Sequence, residues 1–262
     1  MVAAAGRIGG LFVEAGGEGE ALLLALHGLG ATGRVWLPFL VASRWPGRWI
    51  APDLPGHGAS SHCARYQLAD YVGAISELLR AVAPFKTLTI VGHSLGGAIG
   101  VALAGHNGAP APRKVFGIGI KSDWGDEEIE RMEGLSQRES RFFDTPDAAL
   151  AYHARQAGLM AQPADSPLLG RGIVHEAGGW RAAMDMAAFA VERPEVAARA
   201  KIARCPIHLA AGADDKMVSF EGLRAIDSEA FLVPGAGHCA MVDAPGAIWA
   251  WMTEHDASGH RA

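Results

Sequence analysis

The sequence predicts a doubly wound, mostly parallel α/β sheet. Three observations carry that expectation. Short apolar runs bounded by Gly, Pro or Asp recur at Ala21–Leu26, Trp49–Ala51, Leu88–Val91, Val115–Ile120, Ile207–Ala211 and Phe231–Val233. Continuous rather than alternating runs suit strands buried on both faces, as in a parallel sheet. Between them lie helical patterns: Leu68, Val72, Ile75, Leu79 and Val82 share one helix face, and Ile248, Trp251 and Met252 repeat that spacing near the C-terminus. Strand–helix alternation of this kind builds a doubly wound sheet.

The alternation stops between Ile120 and Ile207. Asp126–Arg138 and Pro146–Ala157 read as helices, the second with Thr145 as N-cap, Pro146 at the first position and Gly158 past its end. Gly179–Ala190 reads as a third. Three helices with no strand between them imply a helical lid, so residues 1–120 and 201–262 form the core and 121–200 the insertion.

Composition narrows the classes of partner. The chain has 262 residues, half of them hydrophobic, and a formal net charge of −5. That balance argues against nucleic acid or an anionic membrane, and the pair Arg113–Lys114 reads as a solvated loop. Cys63, Cys205 and Cys239 are too few for a disulfide framework or a CxxC metal site. No signal-peptide pattern opens the chain and no apolar run is long enough to span a bilayer, so a cytoplasmic location is expected. His106, His153, His175, His208, His255 and His260 form no metal-spaced set and read as structural or exposed.

Chemistry concentrates in a few short motifs. Gly92-His93-Ser94-Leu95-Gly96 follows the run Leu88–Val91 and opens a helix of small residues, Gly96, Gly97, Ala98, Gly100, Ala102 and Ala104. A serine on a sharp strand-to-helix turn needs glycines where side chains would clash, and the turn lifts Oγ above the sheet. His27-Gly28-Leu29-Gly30 follows the first strong strand, where a loop can offer a backbone N–H to an oxyanion; Leu29 and Leu95 are the expected donors. His27 itself reads as a brace. Asp53-Leu54-Pro55-Gly56-His57-Gly58-Ala59-Ser60 reads as a braced loop near the serine, with Asp53 and His57 structural.

Together these motifs resemble the α/β hydrolases of the lipase, esterase and lactonase type. The Asp53–Ser60 segment is similar to that family's Asp-x-x-Gly-x-Gly-x-Ser loop. Gly212-Ala213-Asp214-Asp215-Lys216-Met217-Val218 resembles its acid-bearing loop, in a spacing that selects Asp215 over Asp214. Gly237-His238, with Asp243 and Pro245 downstream, resembles its terminal histidine motif. The resemblance runs from about Ala21 to Met252, with the lid matching only in position and helical character. It implies a lid after the sixth strand position and a triad of Ser94, Asp215 and His238 in the family's order, with Asp123 as a competing acid. The nucleophile is Ser94, unlike the Asp of dehalogenases and epoxide hydrolases. Cys239 stands where carbon–carbon bond hydrolases often have Trp, and Leu29 where perhydrolases usually have an aromatic.

The resemblance therefore implies hydrolysis of a small, largely apolar carboxylic ester or lactone, with no metal or organic cofactor. A thioesterase is the nearest enzymatic alternative. A slow-turnover ligand receptor that retains the triad and signals through its lid is the alternative from another class. Trp124, Phe142, Phe143, Trp180, Met184 and Phe189 are candidates for the substrate pocket, set against a reading as the lid's own core. The natural substrate and the oligomeric state are not encoded in any motif.

Overall fold

A computed structural model describes residues 4–190 and 192–257; His260 lies outside them. Ten strands are β1 (Ala4–Ile8), β2 (Leu11–Gly16), β3 (Ala21–Leu26), β4 (Arg48–Pro52), β5 (Thr87–His93), β6 (Lys114–Ile118), β7 (Ile173–Glu176), β8 (Gly179–Ala182), β9 (Ile207–Gly212) and β10 (Phe231–Val233). Eight of them form one sheet in the order β1-β2-β4-β3-β5-β6-β9-β10. From β4 to β10 all neighbours run parallel; β2 joins β1 and β4 antiparallel. The parallel apolar runs are thus borne out. The β1–β2 hairpin is an addition. Every residue of β1 but Ile8 is exposed, so no apolar pattern announces it.

Nine helices among the described residues are α1 (Leu37–Ala42), α2 (Leu68–Ala81), α3 (Leu95–Gly105), α4 (Asp126–Ser136), α5 (Pro146–Gln156), α6 (Val196–Lys201), α7 (Phe220–Ile226), α8 (Ala240–Asp243) and α9 (Pro245–Ala257). None is long and apolar enough to cross a membrane. Strand β3 shows how the layers arise. Leu22, Leu24 and Leu26 pack on the face covered by α2 and α3, whereas Leu23 and Ala25 pack on the face covered by α1 and α9. Helix α2 starts with a capping box between Gln67 and Asp70 and buries Leu68, Val72, Ile75 and Leu79.

The insertion after β6 is not wholly helical. Helices α4 and α5 stand where expected, with the Thr145 hydroxyl accepting from the Ala148 N–H. The segment Gly179–Ala190, expected to be helical, instead forms β8, paired antiparallel with β7, followed by a 3-10 turn over Met186–Phe189. Ala177-Gly178 makes the hairpin turn, and Gly179, the first residue of β8, sits at φ 111°, a conformation that side chains disfavour. Asp185 then caps the turn by accepting from the Ala187 N–H. Trp180 and Met184 stand four apart, as on a helix face, but a turn signal on one side and a cap in the middle break any helix there.

A buried ionic network anchors this insertion to the sheet. The Arg171 guanidinium donates in a fork to both oxygens of Asp53, at 2.9 and 3.0 Å, and to Glu14 at 2.7 Å. The Asp53 and Glu14 side chains are 0% and 2% exposed. Arg171 adopts φ 62° to reach them, a conformation costing of order 1 kcal/mol. Asp53 also accepts from the Gly33 and Ala59 N–H groups. A second tie runs from the Tyr66 hydroxyl to Asp185 at 2.6 Å. Burial alone would raise the Asp53 carboxyl, yet the hydrogen bonds and charge of Arg171 bring it below its ordinary value of 3.8.

Arg171→Met should therefore leave two buried carboxylates short of a partner and lower the unfolding free energy by roughly 3–5 kcal/mol in urea titrations at neutral pH. The sign of the pH dependence follows from the depressed folded value. Stability supplied by Asp53 is complete above its unfolded value near 3.8 and is lost as the pH falls through the lower folded one. The gap between wild type and variant should accordingly narrow below about pH 4. A gap that is constant down to acid unfolding would contradict the network's role.

Candidate active site

The parallel strands all end on one edge, and the loops leaving β3, β4, β5, β6, β9 and β10 gather there. The chain turns outward in opposite directions from β3 and β5, which places a crevice between their carboxyl ends. Ser94 stands at that crevice, between the last residue of β5 and the first of α3, with φ 50° and ψ −116°. Such a backbone costs of order 1–3 kcal/mol and persists only where neighbours dictate it. Here the Ser94 N–H donates to the Ile118 carbonyl at 2.8 Å, and its carbonyl accepts from Ala98. Missing side chains make room for the turn: a Cβ on Gly92 would meet the Gly96 carbonyl at 2.4 Å, and one on Gly96 would meet the Leu26 carbonyl at 2.3 Å.

Leu29 and Leu95 flank the serine. The preceding Gly28 packs so closely that a Cβ there would sit 3.2 Å from the Ser94 Cβ. Among the described residues the Leu29 N–H has no acceptor. Leu95 is the first residue of α3, where an N–H has no intrahelical acceptor. Two free donors therefore border Ser94. His27 holds the loop from beneath: its Nδ1–H donates to the Gly28 carbonyl and its Nε2 accepts from the Leu54 N–H, both at 2.8 Å. Burial drives its pKa to about 3, so it is a neutral brace. His57 is likewise buried, with its pKa lowered to about 4 by desolvation.

Asp215 and His238 come from the loops after β9 and β10. Their meeting depends on Gly212, where a Cβ would collide with the Gly237 and Ala236 carbonyls at 2.1 and 2.2 Å. His238 Nδ1–H donates to Asp215 Oδ2 at 2.8 Å, while the other Asp215 oxygen accepts from the Met217 N–H. Burial alone would raise the Asp215 carboxyl, but the hydrogen bond and charge of His238 and the Met217 and Val218 N–H groups hold it below its ordinary range. The bond at Nδ1 leaves Nε2 with its lone pair. Asp214 is exposed one residue away. Asp123 is exposed and accepts from the Ser122 hydroxyl at 3.2 Å. The structure thus brings Asp215 to His238, and neither competitor. Asp243 accepts from the Gly237 N–H and steadies the histidine loop.

One neighbour escaped the motif reading. His93 occupies the variable place in Gly-x-Ser, yet its Nε2–H donates to the His238 carbonyl at 3.0 Å and its ring lies edge-on to the His238 ring. Burial holds its pKa well below the usual histidine value. It supports the His238 backbone as a neutral ring. Nothing in sequence spacing marks that role, because it depends on a contact across 145 residues.

Ser94, His238, Leu29 and Leu95 all line a cavity of about 310 Å³. Of the six pocket candidates, Trp124 and Phe189 line it as well. The other four do not. Phe143 and Trp180 exchange backbone hydrogen bonds at 2.7 and 2.9 Å, and their rings meet Tyr152 at a tilt and His175 edge-on, respectively. Phe142 is exposed over Gly178. Met184 is buried in a bridge to His57. Phe143 and Trp180 are thus the insertion's own packing, whereas Phe142 faces solvent and Met184 packs on the core. Lining residues that the aromatic stripe did not suggest include Met132, Met217, Lys121 and Arg155. Among the described residues no group of three or more His, Cys, Asp or Glu is placed to hold a metal ion.

The chain is 31% identical over 162 residues to the magnesium-chelatase 30 kDa subunit of Rhodobacter capsulatus, covering 61% of this chain and 49% of that protein. It is 29% identical over 153 residues to protein phosphatase methylesterase 1 of Bos taurus, covering 56% of this chain and 40% of that one. The chain thus matches about half or less of the length of these curated relatives. Among solved structures, E-2-(acetamidomethylene)succinate hydrolase superposes with a TM-score of 0.79 at 24% identity, over 97% of this chain and 99% of the other. An esterase of Mycobacterium tuberculosis gives 0.77 at 19%, over 97% and 91%, and a mutant N-acyl homoserine lactonase complexed with N-hexanoyl homoserine lactone gives 0.71 at 20%, over 98% of each chain. At such identities these likenesses speak for the fold. The family model that matches residues 22–251 speaks for more: this chain belongs to the Alpha/beta hydrolase family.

Proposed function

We propose that the chain is a serine hydrolase that cleaves a carboxylic ester or lactone through an acyl-enzyme on Ser94. The observation that carries this reading is the 2.8 Å hydrogen bond from His238 Nδ1 to the buried Asp215 carboxylate, on the wall of the cavity that Ser94 also lines. In this reading His238 Nε2 takes the Ser94 proton as Oγ attacks the acyl carbonyl, and Asp215 stabilises the imidazolium that forms. The Leu29 and Leu95 N–H groups receive the oxyanion, each contributing roughly 3–4 kcal/mol at comparable sites. The imidazolium returns its proton to the departing alcohol. A water deprotonated by His238 then releases the acid and restores Ser94. A thioester fits the same chemistry, since only the leaving group differs.

An organophosphonate should label Ser94, as read by mass spectrometry of the modified peptide, and Ser94→Ala should abolish ester turnover. Label at another serine, or an active Ser94→Ala protein, would reject the assignment. Asp215→Asn keeps the shape but removes the charge, and should cost about 10⁴-fold in turnover, as in comparable triads, with the circular dichroism unchanged. Asp123→Asn and Asp214→Asn should each stay within about threefold of wild type, since neither carboxylate meets His238. A near-normal Asp215→Asn enzyme would move the acid elsewhere.

Chain-length selection should follow the cavity rather than the aromatic stripe. Trp124→Ala and Met132→Ala should alter the ratio of activity on long and short acyl esters by roughly tenfold, about the value of one or two buried methylenes. Trp180→Ala should lower stability and change every substrate by the same factor. A selectivity change at Trp180 equal to that at Trp124 would overturn the pocket boundary.

A further inference from the structure

The cavity above Ser94 carries a charge imbalance. Its wall holds Lys121, Arg131 and Arg155 against one carboxylate, Glu128, in a chain whose net charge is −5. Lys121 lies 2.8 Å from one Glu128 oxygen, and Arg131 lies 3.7 Å from the other, so a single anion serves two cations. Arg155, in the last turn of α5, has no carboxylate partner among the described residues. The remaining acids of α4, Asp126, Glu127, Glu130 and Glu133, are exposed and outside the cavity lining. A surplus of two positive charges thus borders a concave, partly apolar space, with Arg131 and Arg155 both solvent-exposed where they line it, and a concave wall of one charge sign concentrates the field there.

The end of α5 is also set close to the expected reaction centre. A Cβ on Gly30 would lie 2.7 Å from the Gln156 carbonyl, so α5 abuts the loop that carries Leu29. Gln156 lines the same wall, and its side-chain oxygen is buried without a donor. A purely hydrocarbon ligand would leave the Arg155 guanidinium without an acceptor wherever it displaced that group's water, whereas the Gln156 oxygen is itself an acceptor and offers an anion nothing.

Resting on the acyl-enzyme reading above, we propose that the substrate carries an anionic group, a carboxylate or a phosphate, remote from the scissile carbonyl, and that Arg155 binds it with Arg131 contributing. The guanidinium presents a planar fork of donors suited to either group. Leu95, Ala98, Ile120 and Phe189 then enclose the apolar stem between the two ends.

Titration calorimetry on the Ser94→Ala protein tests this without relying on turnover. Monomethyl adipate against dimethyl adipate probes a carboxylate; butyryl-coenzyme A against the butyryl thioester of N-acetylcysteamine probes a phosphate. In one pair the charged member should bind at least about tenfold more tightly at low salt, with the advantage shrinking as salt rises. Arg155→Gln in the same background should erase that advantage, and Arg155→Lys, which keeps the charge, should retain part of it. Equal affinities within both pairs, or an advantage indifferent to Arg155→Gln, would overturn the proposal. The two readings fail separately. A wild-type protein that hydrolyses no ester or thioester, yet shows the Arg155-dependent preference, sinks the acyl-enzyme and leaves the anion site. Steady hydrolysis of neutral esters with no anion preference does the reverse.

Discussion

Backbone contact at the carboxyl edge of the sheet is the constraint on which the site depends. The loop after β3, the turn after β5 and the histidine loop after β10 approach one another through carbonyls and N–H groups rather than side chains. A single methyl group at Gly92, Gly96 or Gly212 would fall 2.1 to 2.4 Å from a carbonyl oxygen. Close packing of this kind over-determines the backbone, which is how a serine is held at φ 50° and how a histidine from one loop meets a carboxylate from another. The helix of small residues that follows Ser94 belongs to the same constraint, because α3 must lie nearly against the strands to keep its N-terminus beside the serine.

Around that contact the protein places its ionisable groups in two ways. Paired charges are used where a long-range tie is needed. Asp53, Glu14 and Arg171 join the loop after β4, the second strand and the insertion in one buried network. Buried rings are used where a neutral brace suffices. His27, His57, His93 and His153 all have pKa values lowered chiefly by desolvation, so none adds charge near Ser94. His93 and His238 both line the cavity, but the His93 Nε2 is committed to the His238 carbonyl, whereas His238 keeps a carboxylate at its Nδ1. The separation of braces from the one carboxylate-paired ring is what gives the acyl-enzyme reading its chemical specificity. The cationic surplus on α4 and α5 belongs to neither set, and it is balanced by nothing in the cavity wall.

Much of this was legible in the residues alone, because the determinants are local. Apolar runs longer than two residues announce doubly buried strands; Thr145-Pro146 and Gly158 bracket a helix; Gly-x-Ser-x-Gly describes one turn of backbone. Local spacing chose Asp215 over Asp214, and in the structure Asp215 is the one of the two that His238 meets. The β1–β2 hairpin and the β7–β8 ribbon were not legible. Strand β1 is exposed and so lacks an apolar signature, and Trp180 in β8 with Met184 just after it stands at a spacing that suits a helix as well as a hairpin.

What the sequence by itself determined was the parallel part of the sheet, the turn that bears Ser94 and the loops that carry Asp215 and His238, all properties of short segments with steric requirements of their own. Tertiary structure alone decided the occupants of the cavity wall. Phe142, Phe143, Trp180 and Met184 look like pocket residues in one dimension, but Phe142 is exposed, Phe143 and Trp180 pair with each other and Met184 packs beside His57, while Lys121 reaches the cavity from the loop after β6, Arg131 from α4 and Arg155 from α5. Likewise the support of His238 by His93, and of the insertion by Arg171, joins residues more than a hundred positions apart. Contacts of that range are set by how elements pack, and a side chain's type constrains them only weakly, so no local pattern could have specified them.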